Sequence, residues 1–158
     1  MFVKLRAGPG KAPMTCAALF AAVGGTAGAT EPVTPAGERN TPEEEMVREI
    51  SRVRAARGLT KLRQSQPLLS ASRRYARWLV RHERFQHAVH VRPPGFSGAG
   101  EVLERHHDGG ERVRRTVQLW MRSPSHRKVL LNPIYREGGA GLSHSEPVSV
   151  WVLRLGYR

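Results

Sequence analysis

Histidine and glutamate side chains mark three segments of this sequence at which chemistry could occur. These segments are Phe85-Gln86-His87, Gly100-Glu101 and Ser123-Pro124-Ser125-His126-Arg127. If the fold brings them together, two imidazoles and one carboxylate could supply nitrogen and oxygen ligands to Zn²⁺ or a similar divalent ion and leave one position open for water. The same side chains could instead hydrogen-bond one another and hold a loop against the helices. Both alternatives stay open.

Capping signals and apolar periodicity predict the elements that position these segments. Thr41-Pro42-Glu43-Glu44 is a capping box with proline at the first helical position. Four helices are predicted: over residues 42–57, from Pro67 to about Arg81, from Asp108 and Glu111 to the Ser123-Pro124 break, and over residues 124–130. Residues 84–110 lack periodicity and are predicted to form a long irregular loop, a kind of segment that is usually functional or mobile.

Two strand-like runs close the sequence, Glu137 to Ser143 and Val148 to Leu155. The second run is apolar on both faces, which is typical of a central strand covered by helices on both sides. Because helices come first and strands follow, the sequence predicts a layered α+β domain.

The order of these motifs resembles the CAP superfamily, whose members include cysteine-rich secretory, antigen 5 and pathogenesis-related proteins, and in particular its short bacterial SCP-like branch. The resemblance rests on the aromatic-x-His at His87, on Gly100-Glu101, and on Trp120 followed by Ser-Pro-x-His-Arg and Asn132-Pro133. It implies a three-layer α-β-α sandwich with a small, mostly antiparallel central sheet and helices on both faces. It also implies a cleft with two histidines and one or two glutamates, which bind a divalent metal such as Zn or Ca in some members.

Carried over residue by residue, the resemblance assigns His87, His126 and Glu101 to the cleft as tentative metal ligands. Two positions depart from the family pattern. Val102 stands where the family commonly has asparagine, and the second glutamate has no counterpart near Met121. At most three ligands therefore come from the motif. No catalytic residue is assigned.

The remaining histidines and the tryptophans are predicted to be structural or solvated. The histidines outside the motif are His82, His90, His106, His107 and His144. Trp120 and Trp151 are expected in the core, whereas Trp78 is offset from the apolar stripe of its helix and is a candidate surface anchor.

The N-terminal region is predicted to direct export. Residues 1–29 combine a basic start, a short apolar run and a small-residue Ala27-Gly28-Ala29 cleavage signature, which is typical of a signal peptide. Residues 30–41 are expected to form a flexible linker, and residues 42–158 the CAP domain. The only cysteine, Cys16, lies in the signal, so the mature protein would have no disulfide and no thiol nucleophile. No segment of the mature chain is long and apolar enough to cross a membrane, so no transmembrane anchor is expected.

The net positive charge of the chain indicates which binding partners it would attract. Without residues 1–29 the chain keeps 23 basic against 13 acidic residues, a formal charge of +10. Outside a cytoplasm such a charge favours lipid headgroups or anionic cell-wall polymers sooner than nucleic acid. The scattered arginines also allow a plain solubility role.

The sequence thus predicts a secreted or extracytoplasmic binding module, monomeric, whose partner is an envelope component met through the histidine and glutamate cleft. Two alternatives remain. One is a metal-assisted hydrolase of peptide or cell-wall substrates, for which the sequence shows no convergent base and groove. The other is a protein that binds lipids or anionic polymers.

Overall fold

The computed structural model describes residues 41–108 and 112–158, which belong to one compact unit. The predicted signal, 1–29, and all of the predicted linker except Thr41 lie outside the described residues, so both stay predictions. The elements in chain order are α1 Pro42–Ala55, β1 Arg63–Gln64, α2 Gln66–Arg81, β2 Gly98–His106, α3 Val113–Arg122, α4 Pro124–Leu130, β3 Glu137–Ser145 and β4 Val148–Tyr157. None of the described helices is long and apolar enough to cross a bilayer.

The four strands form one sheet in the order β1-β3-β4-β2. The short β1 pairs with β3 in parallel, whereas β4 pairs with β3 and β2 in the antiparallel direction. Helix α2 packs on one face through β3 and β4, and α1, α3 and α4 pack on the other. The predicted three-layer α-β-α sandwich with a mostly antiparallel sheet is therefore confirmed, and β4 is its central strand.

The start of α1 follows from the capping box predicted from the sequence. The Thr41 hydroxyl accepts a hydrogen bond from the Glu44 amide at 3.3 Å, and the Glu44 carboxylate accepts one from the Thr41 amide at 3.1 Å. Helical spacing then places Met46, Val47 and Ile50 on the buried face. This face fixes α1 against the sheet by removing apolar surface from water.

Alternation along β4 assigns each side chain to one layer. Trp151, Leu153 and Leu155 belong to the core shared with α1 and α3, whereas Val150 and Val152 pack with α2. Because strand side chains alternate with a period of two, Arg154 falls on the α2 side of the sheet. The charged guanidinium of Arg154 therefore lies between the sheet and α2.

Helix α2 lies directly on β3 because two glycines of that strand have no side chain. A Cβ atom on Gly139 would lie 2.1 Å from the Leu69 amide nitrogen, and one on Gly141 would lie 2.3 Å from the amide nitrogen of Arg73. The Ser72 hydroxyl also donates a hydrogen bond to the Gly139 carbonyl at 2.8 Å. This contact fixes the position of α2, the helix that precedes the loop with His87.

The structure differs from the sequence prediction between helices α2 and α3. The expectation of one irregular loop over residues 84–110 is wrong for Gly98–His106, which form the edge strand β2. Helix α3 begins at Val113 and its N-cap is Arg112, not Asp108. Asp108 instead pairs with Arg112 and Arg115 at 3.4 and 2.9 Å.

Candidate functional site

A buried ion pair between Glu101 and Arg154 forms the base of the candidate site. The two residues face each other across β2 and β4 in register. The guanidinium Nε and Nη2 of Arg154 donate to Oε2 of Glu101 at 3.0 and 2.9 Å. The Arg154 side chain is only 7% exposed, and the Glu101 side chain only 1%. The two hydrogen bonds converge on one carboxylate oxygen and give each buried charge the partner that burial requires.

The other oxygen of Glu101 holds the loop that follows α2. Oε1 accepts the Ala88 amide at 3.0 Å and lies 3.0 Å from Nδ1 of His87. Since a carboxylate can only accept, Nδ1 of His87 donates to Oε1, and this contact selects the tautomer in which Nε2 is the acceptor. The His87 side chain is 59% exposed, so this acceptor is available to a ligand.

Tyr75 of α2 supports the pair and the loop together. The guanidinium carbon of Arg154 lies 5.3 Å from the centre of the Tyr75 ring, a cation–π distance. The phenol donates a hydrogen bond to the Gln86 carbonyl at 2.8 Å. Burial, and then the charge of Glu101, raise the pKa of Tyr75, so the phenol keeps its proton and its donor role. Tyr75 of α2 therefore holds Gln86, while Glu101 of β2 holds His87 and Ala88.

His126 approaches from the opposite layer, on α4. It is the third residue of this helix, which begins at Pro124, as the sequence predicts. Burial, followed by the charge of His87, lowers the pKa of His126 below its ordinary value. The ring is therefore neutral near pH 7. The direction agrees with the sequence prediction, although burial is the main cause and the helix end is not needed to explain it.

Arg54 fixes the end of the segment that carries His126. This side chain is fully buried, and its guanidinium donates to four carbonyl oxygens, those of Thr60, Leu130, Asn132 and Tyr135, at 3.0, 2.7, 2.9 and 3.1 Å. Leu130 is the last residue of α4, so the cation also lies at the negative end of that helix. Arg54 therefore ties α4 to the end of α1.

The donor set does not fit the metal site that the resemblance implies. Both oxygens of Glu101 are engaged, and the adjacent Arg154 cation opposes a second positive charge. The Nδ1 atom of His87 is protonated towards Glu101, which leaves only Nε2 as a ligand. Within residues 41–108 and 112–158, no group of three or more His, Cys, Asp or Glu side chains is placed to hold a metal ion. Binding of Zn or Ca by His87, Glu101 and His126 stays a prediction.

His106 and Trp78, which lie outside the motif, have surroundings that correct or refine the sequence prediction. His106 was expected to be solvated but is buried at the end of β2, and its Nε2 lies 2.8 Å from the Thr116 hydroxyl. Trp78 is half-buried on the outer side of α2 and stacks between Tyr75 and His82, with ring centres 5.7 and 4.7 Å apart. Trp120 and Trp151 are in the core, as predicted.

Sequence reasoning missed Arg154 and Tyr75. Arg154 is the one charged residue in the run Val148 to Leu155, and a buried arginine inside an apolar central strand requires an acidic partner. That signal points to a buried carboxylate on a neighbouring strand. Tyr75 was assigned only to the apolar stripe of its helix, and nothing in the sequence indicates that its hydroxyl meets the loop.

The α-β-α sandwich agrees with the comparison to known families. Residues 47–155 match CAP, the cysteine-rich secretory protein family. The chain therefore belongs to the CAP family. Comparison with curated proteins finds no match.

Solved structures with a similar fold come from several organisms. An outer surface protein of Borrelia burgdorferi is 22% identical over 72% of this chain and 90% of its own, with a TM-score of 0.63. An extracellular SCP-domain protein of Bacillus anthracis is 18% identical, and the match covers 74% of this chain but 40% of that protein, with a TM-score of 0.63. Venom allergen-like protein 4 of Schistosoma mansoni is 12% identical over 75% of this chain and 89% of its own, again with a TM-score of 0.63. At these identities the likeness establishes the fold alone.

Proposed function

We propose that this CAP domain is a secreted or envelope-associated binding module, whose ligand contacts the loop bearing His87 and the adjoining part of α4. One observation carries the proposal: Oε1 of the buried Glu101 holds the loop through His87 and the Ala88 amide, while Arg154 fixes the other carboxylate oxygen. A loop fixed from below, with an exposed imidazole on its outer side, offers a preorganised contact surface. Preorganisation lowers the entropy that a binding partner must remove.

The extracytoplasmic location is supported by two separate facts. Residues 1–29 have the pattern of a signal peptide, and the similar structures from Borrelia and Bacillus belong to proteins described as outer surface and extracellular. Expression in a bacterial host followed by mass spectrometry of the recovered protein tests the location. A mature N-terminus near residue 30 supports export, and a retained chain that begins at Met1 contradicts it.

Binding to envelope material is tested with insoluble peptidoglycan as the probe. The full chain is expected to sediment with peptidoglycan without releasing soluble fragments. A His87→Ala/His126→Ala variant is expected to stay in the supernatant, while His144→Ala, which removes an exposed imidazole at the far end of β3, sediments like the original chain. Equal sedimentation of all three proteins, or of none, would refute binding through this surface.

Hydrolysis is the second candidate, and the His87–Glu101 contact favours it. A carboxylate that holds Nδ1 of an imidazole leaves Nε2 as a general base, which is the arrangement used to activate a water or hydroxyl group. The same assay separates the two functions. Release of soluble fragments that is lost in His87→Ala but kept in His144→Ala would identify an enzyme instead of a binding module.

A further inference from the structure

A stripe of unpaired arginines runs along the outer side of α2, away from the sheet. Arg74, Arg77 and Arg81 follow the i, i+3, i+7 spacing of one helix face, and all three are exposed. None of them forms an ion pair with any residue in the described part of the chain. At 1.5 Å of rise per residue the stripe is about 10 Å long. Three unneutralised cations are thus held in a line on a rigid element.

The surface beside this stripe is aromatic and aliphatic. The half-buried Trp78 lies within the same helical turns and lines a shallow depression of about 300 Å³ together with Arg74, Ala88 and His90. Val89 lies between Ala88 and His90 in the chain and is 87% exposed. Because its chain neighbours Ala88 and His90 line this depression with Arg74, an exposed aliphatic side chain stands beside the cationic stripe.

We propose that this face, made of Arg74, Arg77 and Arg81 with Trp78 and Val89, docks onto the surface of an anionic lipid bilayer. Arginines on one side of a surface-lying helix attract acidic headgroups, and an indole and an aliphatic side chain beside them fit the boundary between headgroups and acyl chains. A soluble anionic polymer would use the same cations but would gain nothing from Val89. The exposed valine is therefore the observation that favours a bilayer over a polymer. This face shares Val89 with the loop proposed above, but its cations lie on α2, and the proposal does not use His87 or His126.

Cosedimentation of the full chain with vesicles tests the proposal. Vesicles of equal parts phosphatidylglycerol and phosphatidylcholine are compared with pure phosphatidylcholine, at low and high salt. Each cation near an anionic surface contributes about fivefold to binding, so Arg74→Gln/Arg77→Gln/Arg81→Gln is expected to weaken it on the order of one hundredfold. Binding is also expected to fall as salt rises, because screening shortens the range of the attraction.

A matched control separates a defined face from overall charge. Arg57 lies in the turn after α1, and Arg114 and Arg122 lie on α3; all three are exposed and belong to the layer on the other side of the sheet. The Arg57→Gln/Arg114→Gln/Arg122→Gln variant has the same net charge as the stripe variant and is expected to bind like the original chain. Equal loss in both variants would overturn the assignment to α2.

Two further readouts concern the apolar part of the face. Trp120 and Trp151 have no exposed surface, so a change in tryptophan emission on vesicle binding is expected to come from Trp78 and to vanish in Trp78→Phe. Val89→Ser is expected to weaken vesicle binding several-fold while it leaves binding to soluble poly(glycerol phosphate) unchanged. If Val89→Ser has no effect on vesicles, or if emission stays constant, the bilayer is the wrong partner and the stripe binds polyanions in general.

Discussion

Replacement of Glu101 by glutamine tests whether the buried ion pair holds the site together. The amide keeps the size of the side chain but removes its negative charge, which leaves the guanidinium of Arg154 buried without a counter-ion. Removal of one partner from a pair this deeply buried costs about 3–5 kcal/mol of unfolding free energy. For a domain of this size the midpoint of thermal unfolding should fall by roughly 10–20 °C.

A double variant distinguishes this cause from simple damage to the fold. Glu101→Gln/Arg154→Met removes both charges and fills the space with a flexible apolar side chain, so it is expected to recover most of the lost stability. The exposed pair of Glu49 and Arg52 on α1 serves as the control, and Glu49→Gln should cost less than about 1 kcal/mol. Urea unfolding followed by circular dichroism measures all three. A cost below 1 kcal/mol for Glu101→Gln, or a double variant less stable than the single one, would refute the reasoning.

Three other changes have outcomes that follow from single contacts. Gly139→Ala should destabilise the domain by several kcal/mol in urea unfolding because its Cβ would lie 2.1 Å from the backbone of α2, whereas Gly58→Ala, at φ +72° with open space around it, should cost only about 1 kcal/mol of backbone strain. Arg54→Met should cost about 3 kcal/mol or more because it leaves four carbonyls without their donor, and amide hydrogen exchange should rise at the end of α4; an unchanged exchange rate there would contradict the anchoring role. Burial lowers the pKa of His106 in the folded state, so the unfolded chain takes up a proton first and stability should fall as the pH drops below about 6.5. His106→Gln should show a smaller loss over this pH range, and an identical pH dependence of unfolding would contradict the assignment.

The helical half of the fold was predictable because its signals are local. The capping box at Thr41 and the proline at position 124 each mark a helix start through short-range backbone chemistry, and both starts are confirmed. These signals also placed His126 at its correct helical position. Local chemistry is therefore sufficient to locate the helices that bound the site.

Strand β2 could not be predicted because its sequence lacks the alternating apolar pattern of a buried strand. Gly98 and Gly100 remove two side chains from the alternating pattern, and the charged residues that follow resemble a solvent-exposed loop. Glu101 is buried only because Arg154 neutralises it from a strand fifty-three positions later. Such a partner is set by register between strands, which no local pattern encodes. For this reason Glu101 entered the sequence prediction only through the family resemblance, and its partner Arg154 was missed.

The central position of β4 determines when the domain can form during synthesis. Among the elements that the structure describes, β4 comes last in the chain, yet it is the one strand that pairs with β2. A nascent chain that has not yet released residues 148–157 therefore has helices but no place for β2, and Glu101 has no counter-ion. Assembly must wait until the whole domain is available, which favours a single late transition over stepwise growth. For the export proposed above, such a delay is an advantage, because an early folded core would block passage through a translocation pore.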